Sequence, residues 1–233
     1  MISDPRYNFV FVGVPKAATS SMRARLFRLG TADENSQKSP LVKYPHAQHY
    51  TIQEYRQILG DELDSRFKFA FVRNPWDKVV SSFTKECSNW RNTTVARYDA
   101  QNPGKFQNWI TPLLTQSRRA PDRMHHKWLG RTPRLIAQPQ LDFLTDEHDN
   151  VAVDFIGRFE NVEADFEAVL IKLHQTHPLP PRKFWALPKK NMSQGVDPRW
   201  PRQHYSFYYN DELIEKVREV YAKDIEYFGY TYE

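Results

Sequence analysis

Lys16 lies in the run Val14-Pro15-Lys16-Ala17-Ala18-Thr19-Ser20-Ser21, between an apolar stretch and a helical pattern. A helix opening directly after a strand presents backbone N–H groups and the positive end of its dipole, a setting suited to a phosphate-like anion. Ala17 and Ala18 are small enough for such a group to approach the main chain. Thr19, Ser20 and Ser21 add hydroxyls, and Lys16 adds a point charge. The loop of nucleotide triphosphatases, G-x-x-x-x-G-K-[ST], does not fit. Counted from Gly13, its second glycine falls on Ala18 and its lysine on Thr19. A helix start with ordinary Ser/Thr caps is the plain alternative for this segment.

A second candidate is Arg73, within Phe69-Ala70-Phe71-Val72-Arg73-Asn74-Pro75-Trp76-Asp77-Lys78-Val79-Val80-Ser81-Ser82-Phe83. It stands at the carboxyl end of an apolar run, where open α/β sheets place their ligands. Its planar guanidinium suits bidentate binding of an anion. Ser81, in the second turn of the helix that follows, could give a hydroxyl to the same group. An ordinary ion pair of Arg73 with a nearby acid is the alternative.

Strands and helices must position these groups. Residues 8–14 and 67–72 are short, apolar and rich in Val and Phe, and read as buried strands. Each runs through a tight loop into a helical pattern: Met22, Leu26 and Leu29 after the first, and a helix opening at Pro75 after the second. This repeated strand–loop–helix order predicts an α/β fold, P-loop-like and three-layered, with a mainly parallel central sheet flanked by helices. Thr51 and Glu54 have capping-box spacing for a helix over 52–63. A third strand is expected at 151–156, a helix capped by Asn161, and a last long helix capped by Asn210. Residues 86–139 are weakly periodic and read as a possible insertion at an acceptor site. No domain boundary is evident, so residues 1–233 are expected to form a single domain.

Composition narrows the class. The 233 residues are 40% hydrophobic and 26% charged, a globular balance. No apolar run approaches the length of a transmembrane span. The N-terminus lacks a signal-peptide layout, so a soluble, cytoplasmic protein is expected. Cys87 is the only cysteine, which excludes an internal disulfide and a cysteine-based zinc site. It reads as an inert buried thiol. The 33 basic and 28 acidic residues leave a net charge of +5. Six of the basic residues fall within 117–134 (Arg118, Arg119, Arg123, Lys127, Arg131, Arg134) and six more within 182–202. Such local stretches point to an anionic ligand or partner, or to solvated surface charge.

Taken together, VPKAATSS and FAFVRNPWDKVVSSF resemble the two nucleotide-binding motifs of sulfotransferases that use 3′-phosphoadenosine 5′-phosphosulfate (PAPS), most closely the carbohydrate sulfotransferase branch. VDFIGRFENVEADF, LPKKNMS, HYSFYYNDELIEKV and YAKDIEYFGY extend the likeness over most of the chain outside about 86–135. Ala18 stands where many members have Gly. Golgi members carry a membrane anchor that this chain lacks, so it looks like a bacterial-type soluble relative or an isolated catalytic domain.

The resemblance implies in-line transfer of a sulfuryl group from PAPS to a hydroxyl of a saccharide or glycoconjugate, leaving the 3′,5′-bisphosphate PAP. Pro15, Lys16, Ala17, Ala18, Thr19, Ser20 and Ser21 would cradle the 5′-phosphosulfate. Arg73 and Ser81 would hold the 3′-phosphate, and Lys16 would steady the bridging oxygen. No metal and no nucleic-acid partner are implied. His49 is the candidate base: it lies eleven residues ahead of Gly60, as a His often does before this helix in sugar-modifying relatives. An imidazole, ordinarily with a pKa of about 6.5, suits the task. His46 is a close competitor and Glu54 a weaker one.

Several further residues have two readings. Arg158 and Glu160 could pair structurally or reach a ligand. Lys190, Asn191 and Ser193 could touch the nucleotide, and by family likeness Gln140 could orient the acceptor. Trp90, Trp109 and Trp128 could stack on sugars or belong to a core. The sequence does not give the oligomeric state. If the middle segment lines a basic acceptor cleft, an already anionic acceptor is expected. Two rival functions stay open: a nucleotide kinase or NTPase, which predicts Mg²⁺-dependent ATP binding, and a non-catalytic binder of acidic polysaccharide, which predicts steep salt dependence.

Overall fold

A computed structural model describes residues 3–4, 6–30, 49–90, 102–116, 138–188 and 203–233. The chain forms two compact units, residues 1–73 with 140–191, and residues 74–139 with 192–233.

The first unit holds the sheet. Its strands are β1 (Ser3–Asp4), β2 (Phe9–Val12), β3 (Phe67–Val72) and β4 (Phe155–Arg158), in the order β1-β2-β3-β4. β1 pairs antiparallel with β2, while β2–β3 and β3–β4 are parallel, with Phe11 opposite Phe69 and Val72 opposite Arg158. The expected α/β class with a mainly parallel sheet is therefore observed. Both Phe11 and Phe69 are fully buried, and their rings stack 5.0 Å apart. Such runs of buried apolar residues are what a parallel sheet covered by helices requires.

Among the described residues this unit holds α1 (Thr19–Arg28), α2 (Ile52–Leu59) and, beyond the next unit's first segment, the helix Val162–Thr176. In α1, Met22 and Leu26 are fully buried at i, i+4 spacing. α2 has the predicted capping box, with Glu54 Oε2 accepting from the Thr51 amide at 2.7 Å. It ends at Leu59 and continues as a 3-10 turn over Gly60–Leu63, shorter than the helix expected through 63, because Gly60 takes a positive φ. The Tyr55 hydroxyl donates to the Phe11 carbonyl across 2.9 Å and ties α2 to β2.

Two expectations in this unit are corrected. The third strand begins at Phe155, later than the expected 151–156, because Val151 is taken by a bridge to Thr145 and Asp154 pairs with Lys68. Asn161 precedes the helix Val162–Thr176 without capping it; its Nδ2 donates to Asp165 instead.

Among its described residues the second unit is helical, with α3 (Pro75–Trp90), α4 (Pro103–Gln116), α6 (Asp211–Val220) and α7 (Ala222–Phe228), α5 being Val162–Thr176 of the first unit. α4 lies in the stretch that sequence periodicity leaves unassigned. Its Phe106, Ile110 and Leu114, spaced four apart, are buried with Trp76, Phe83 and Val217. Trp109 packs against this core, 5.4 Å from the Phe83 ring, and so belongs to the core by the second of its two readings. Cys87 is half-buried against the same cluster. Asn210 caps α6 as expected, accepting from the Leu213 amide at 3.0 Å, but the long helix breaks at Tyr221 into α6 and α7. Among the described residues no helix is long and apolar enough to cross a membrane.

Candidate active site

The site is built at the carboxyl ends of β2 and β3. After Val12 the chain passes Gly13 and Val14, turns over residues 15–18 and enters α1 at Thr19. Lys16 and Ala18 both take positive φ, 69° and 60°. L-residues adopt this region rarely, and it turns successive amides toward one side to form an anion-binding concavity. Ala18 is the N-cap of α1 and supplies no side-chain cap. The first turn of α1 contains no acid, so no carboxylate of that turn neutralises the positive end of the dipole.

Within the loop, Pro15 and Ala17 are buried, Lys16 is half-buried, Ser20 is exposed and Ser21 is buried. The Thr19 hydroxyl donates to the Val14 carbonyl at 2.7 Å. This closes the turn. The hydroxyl proton is thereby directed into the loop, and the Thr19 amide is the group placed at the start of α1.

Arg73 follows β3 immediately and is 2% exposed. Its Nη1 donates to the Lys16 carbonyl across 3.1 Å. Its guanidinium carbon lies 3.8 Å from the centroid of the Phe159 ring. Such stacking fixes the plane of a guanidinium and favours its charge. The fully buried Gln140 grips the Arg73 main chain: Oε1 accepts from the Arg73 amide at 2.9 Å, and Nε2 donates to the Arg73 carbonyl at 2.8 Å. Gln140, expected from the family likeness to orient an acceptor, has its side-chain amide bonded to the backbone of Arg73.

His49 is half-buried just ahead of α2, with Nδ1 2.6 Å from the Gly13 carbonyl. A carbonyl only accepts, so Nδ1 carries the proton and the neutral ring has its lone pair on Nε2. Glu54, the weaker candidate base, is held in the capping box by the Thr51 amide and hydroxyl. His46 lies outside the described residues.

The structure thus gathers Lys16, Ala18, Thr19, Arg73 and His49 around one loop in the first unit. Ser81 belongs to the second unit, half-buried on α3, where its carbonyl accepts from the Thr84 hydroxyl at 3.2 Å. Arg158 is exposed, and its amide donates to Asp165 at 2.7 Å. Phe159, between Arg158 and Glu160, is the residue that meets Arg73. Sequence reasoning misses it because an aromatic beside two charged residues reads as core, and nothing in its spacing announces a cation partner. Lys190, Asn191, Ser193, Trp128, the side chain of Trp90 and the basic stretch at 117–134 lie outside the described residues.

A family model described as the sulfotransferase family matches residues 1–231. No curated protein and no solved structure matches the chain.

Proposed function

We propose, for a chain that belongs to the sulfotransferase family, that it moves a sulfuryl group from PAPS to a hydroxyl of a saccharide or glycoconjugate. The observation that carries this reading is the bond from Arg73 to the Lys16 main chain. It joins the two basic motifs at the ends of adjacent parallel strands, where a ligand with two anionic ends would need them. The loop also suits an anion in its own right, with two positive-φ residues and no acid in the first turn of α1.

PAPS supplies an activated sulfuryl group on its 5′-phosphate. The amides of the loop and the first turn of α1 hold that phosphate. Lys16 places positive charge beside the bridging oxygen as the S–O bond breaks and negative charge builds there. His49 takes the proton of the acceptor hydroxyl on Nε2 while the acceptor oxygen forms its bond to sulfur, and the Gly13 carbonyl steadies the imidazolium through Nδ1–H. Arg73 holds the 3′-phosphate, the feature that separates PAPS from ATP. Positioning and fixed charge supply the catalysis, as in phosphoryl transfer.

Thermal unfolding with PAP, and separately with ATP plus Mg²⁺, tests the donor. Ligand at about 100 times its Kd adds roughly 2.7 kcal/mol. At about 2–4 °C per kcal/mol for a chain of this size, the Tm should rise by several degrees. The rise should occur with PAP and disappear in Arg73→Ala. A response to ATP and Mg²⁺ without one to PAP would overturn the reading in favour of a kinase. Turnover of PAPS with a panel of neutral and sulfated saccharides then tests the acceptor.

A further inference from the structure

We infer that Gln140 and Phe159 are positioning residues that hold Arg73 ready for the 3′-phosphate of the donor, an assignment that rests on the proposed PAPS reading. The ladder between β3 and β4 ends with Val72 opposite Arg158. Arg73 is one residue beyond it, in a buried position where an unpaired amide and carbonyl would be costly. Gln140 meets both groups with one side chain, accepting from the Arg73 amide and donating to its carbonyl. The primary amide acts as one further rung of the sheet and fixes the direction in which the Arg73 side chain leaves the main chain.

Phe159 acts at the other end. With the guanidinium carbon 3.8 Å from its ring centroid, Phe159 sets the plane of the guanidinium, and the Lys16 carbonyl sets its rotation within that plane. A bidentate grip on phosphate depends on that plane, because the two N–H vectors of the fork are fixed relative to each other. Few side chains can do what Gln140 does. Glutamate would set a carboxylate oxygen against the Arg73 carbonyl, and asparagine is one methylene shorter. In both cases one of the two bonds is lost.

Calorimetric binding of PAP and of adenosine 5′-phosphate, which lacks the 3′-phosphate, separates positioning from general support of the fold. In Gln140→Met and Phe159→Leu, PAP affinity should fall about tenfold, the loss of roughly one charge-assisted hydrogen bond. Affinity for adenosine 5′-phosphate should not change, so discrimination between the two ligands should shrink. Equal losses for both ligands, or no loss for either, would overturn the assignment. Circular dichroism reports whether each variant folds. Phe159 is only half-buried, so Phe159→Leu carries the test if Gln140→Met does not fold. If the parent protein shows no preference for PAP, the donor reading itself fails, a result distinct from any behaviour of the variants.

Discussion

Arg73 donates from Nη1 to the main-chain carbonyl of Lys16, 3.1 Å away, so the residue proposed to read the donor's far phosphate is tied to the residue proposed to act at its reacting end. The two should nevertheless separate kinetically. On the proposed mechanism Lys16→Ala removes charge needed chiefly as the bridging bond breaks, so turnover should fall about 10²- to 10³-fold. PAP affinity should stay within a few-fold of the parent. Arg73→Lys keeps the charge and loses the planar fork, so PAP affinity should fall about tenfold or more. Single-turnover rates and PAP titrations check both, and a Lys16→Ala variant with full turnover would remove that lysine from the chemistry.

His49, the proposed base, faces the Gly13 carbonyl through Nδ1, so the proposed proton transfer would run through Nε2. Asparagine can still donate a hydrogen bond toward that carbonyl but cannot accept a proton at neutral pH. His49→Asn should therefore lower the rate about 10²- to 10⁴-fold while PAP binding persists. Only the neutral imidazole is a base, so the parent's kcat/KM should rise with pH through the imidazole range, and the variant should lose that ascending limb. An unaltered limb would pass the role to another group, His46 first.

The loop and Arg73 are legible in the sequence because their chemistry is written in adjacent residues: an apolar strand, a small-residue turn and a Ser/Thr-rich helix start. Residue 140 is legible as a candidate but not as a partner of Arg73. The two are 67 positions apart, and a side-chain amide carries no periodic signal. Phe159 is hidden for the same reason. α4 is obscured by Gly104 near its start and Pro112 within it, which dilute a pattern that Phe106, Ile110 and Leu114 still follow. The cap at Asn210 can be read from one residue type in the right place. Asn161 misleads because the competing acceptor, Asp165, lies one turn on and captures its amide.

Ala18 has φ 60°, a value that costs an L-residue roughly 1 kcal/mol and glycine little. Ala18→Gly relieves that strain but frees the unfolded chain, and the two effects oppose each other. Stability should change by no more than about 1 kcal/mol, with PAP binding retained. Replacement by Val adds a β-branched side chain in the same region and should be clearly destabilising. Urea midpoints with and without PAP measure both, and a Val variant as stable as the parent would show that the turn is not held at this φ.

Gly157, in β4, has no room for a side chain. A Cβ placed there would lie 2.3 Å from the ring of Phe71, which is fully buried and packs against Phe155 and Phe166. Gly157→Ala should cost about 1–3 kcal/mol through displacement of that ring. Shortening the ring's side chain should restore part of the loss, so the double variant Gly157→Ala/Phe71→Leu should be less damaged than the sum of the two single variants. Strict additivity in a double-mutant cycle would refute the contact.

Tyr221 is buried and Tyr209 half-buried in the second unit, and desolvation of the phenol pushes the pKa of each well above its ordinary value, with Asp224 adding to the effect at Tyr221. Their hydroxyls differ. Tyr209 donates to the Trp76 carbonyl at 2.9 Å, whereas the Tyr221 hydroxyl has no hydrogen-bond partner among the described residues. A buried unsatisfied polar group costs about 1–3 kcal/mol. Tyr221→Phe should therefore be neutral or stabilising, and it keeps a ring for the Lys78 ammonium, 4.7 Å from the ring centroid. Tyr209→Phe should be destabilising. The alkaline limb follows with the same sign for both residues. Above about pH 10 the unfolded phenol releases its proton while the buried one keeps it. The folded state then binds more protons, and stability falls as pH rises. Stability is thus fully present below about pH 10, and Tyr221→Phe should flatten its decline above that pH. Urea midpoints at neutral and alkaline pH measure both effects; a large loss of stability in Tyr221→Phe at neutral pH would mean that its hydroxyl is bonded after all.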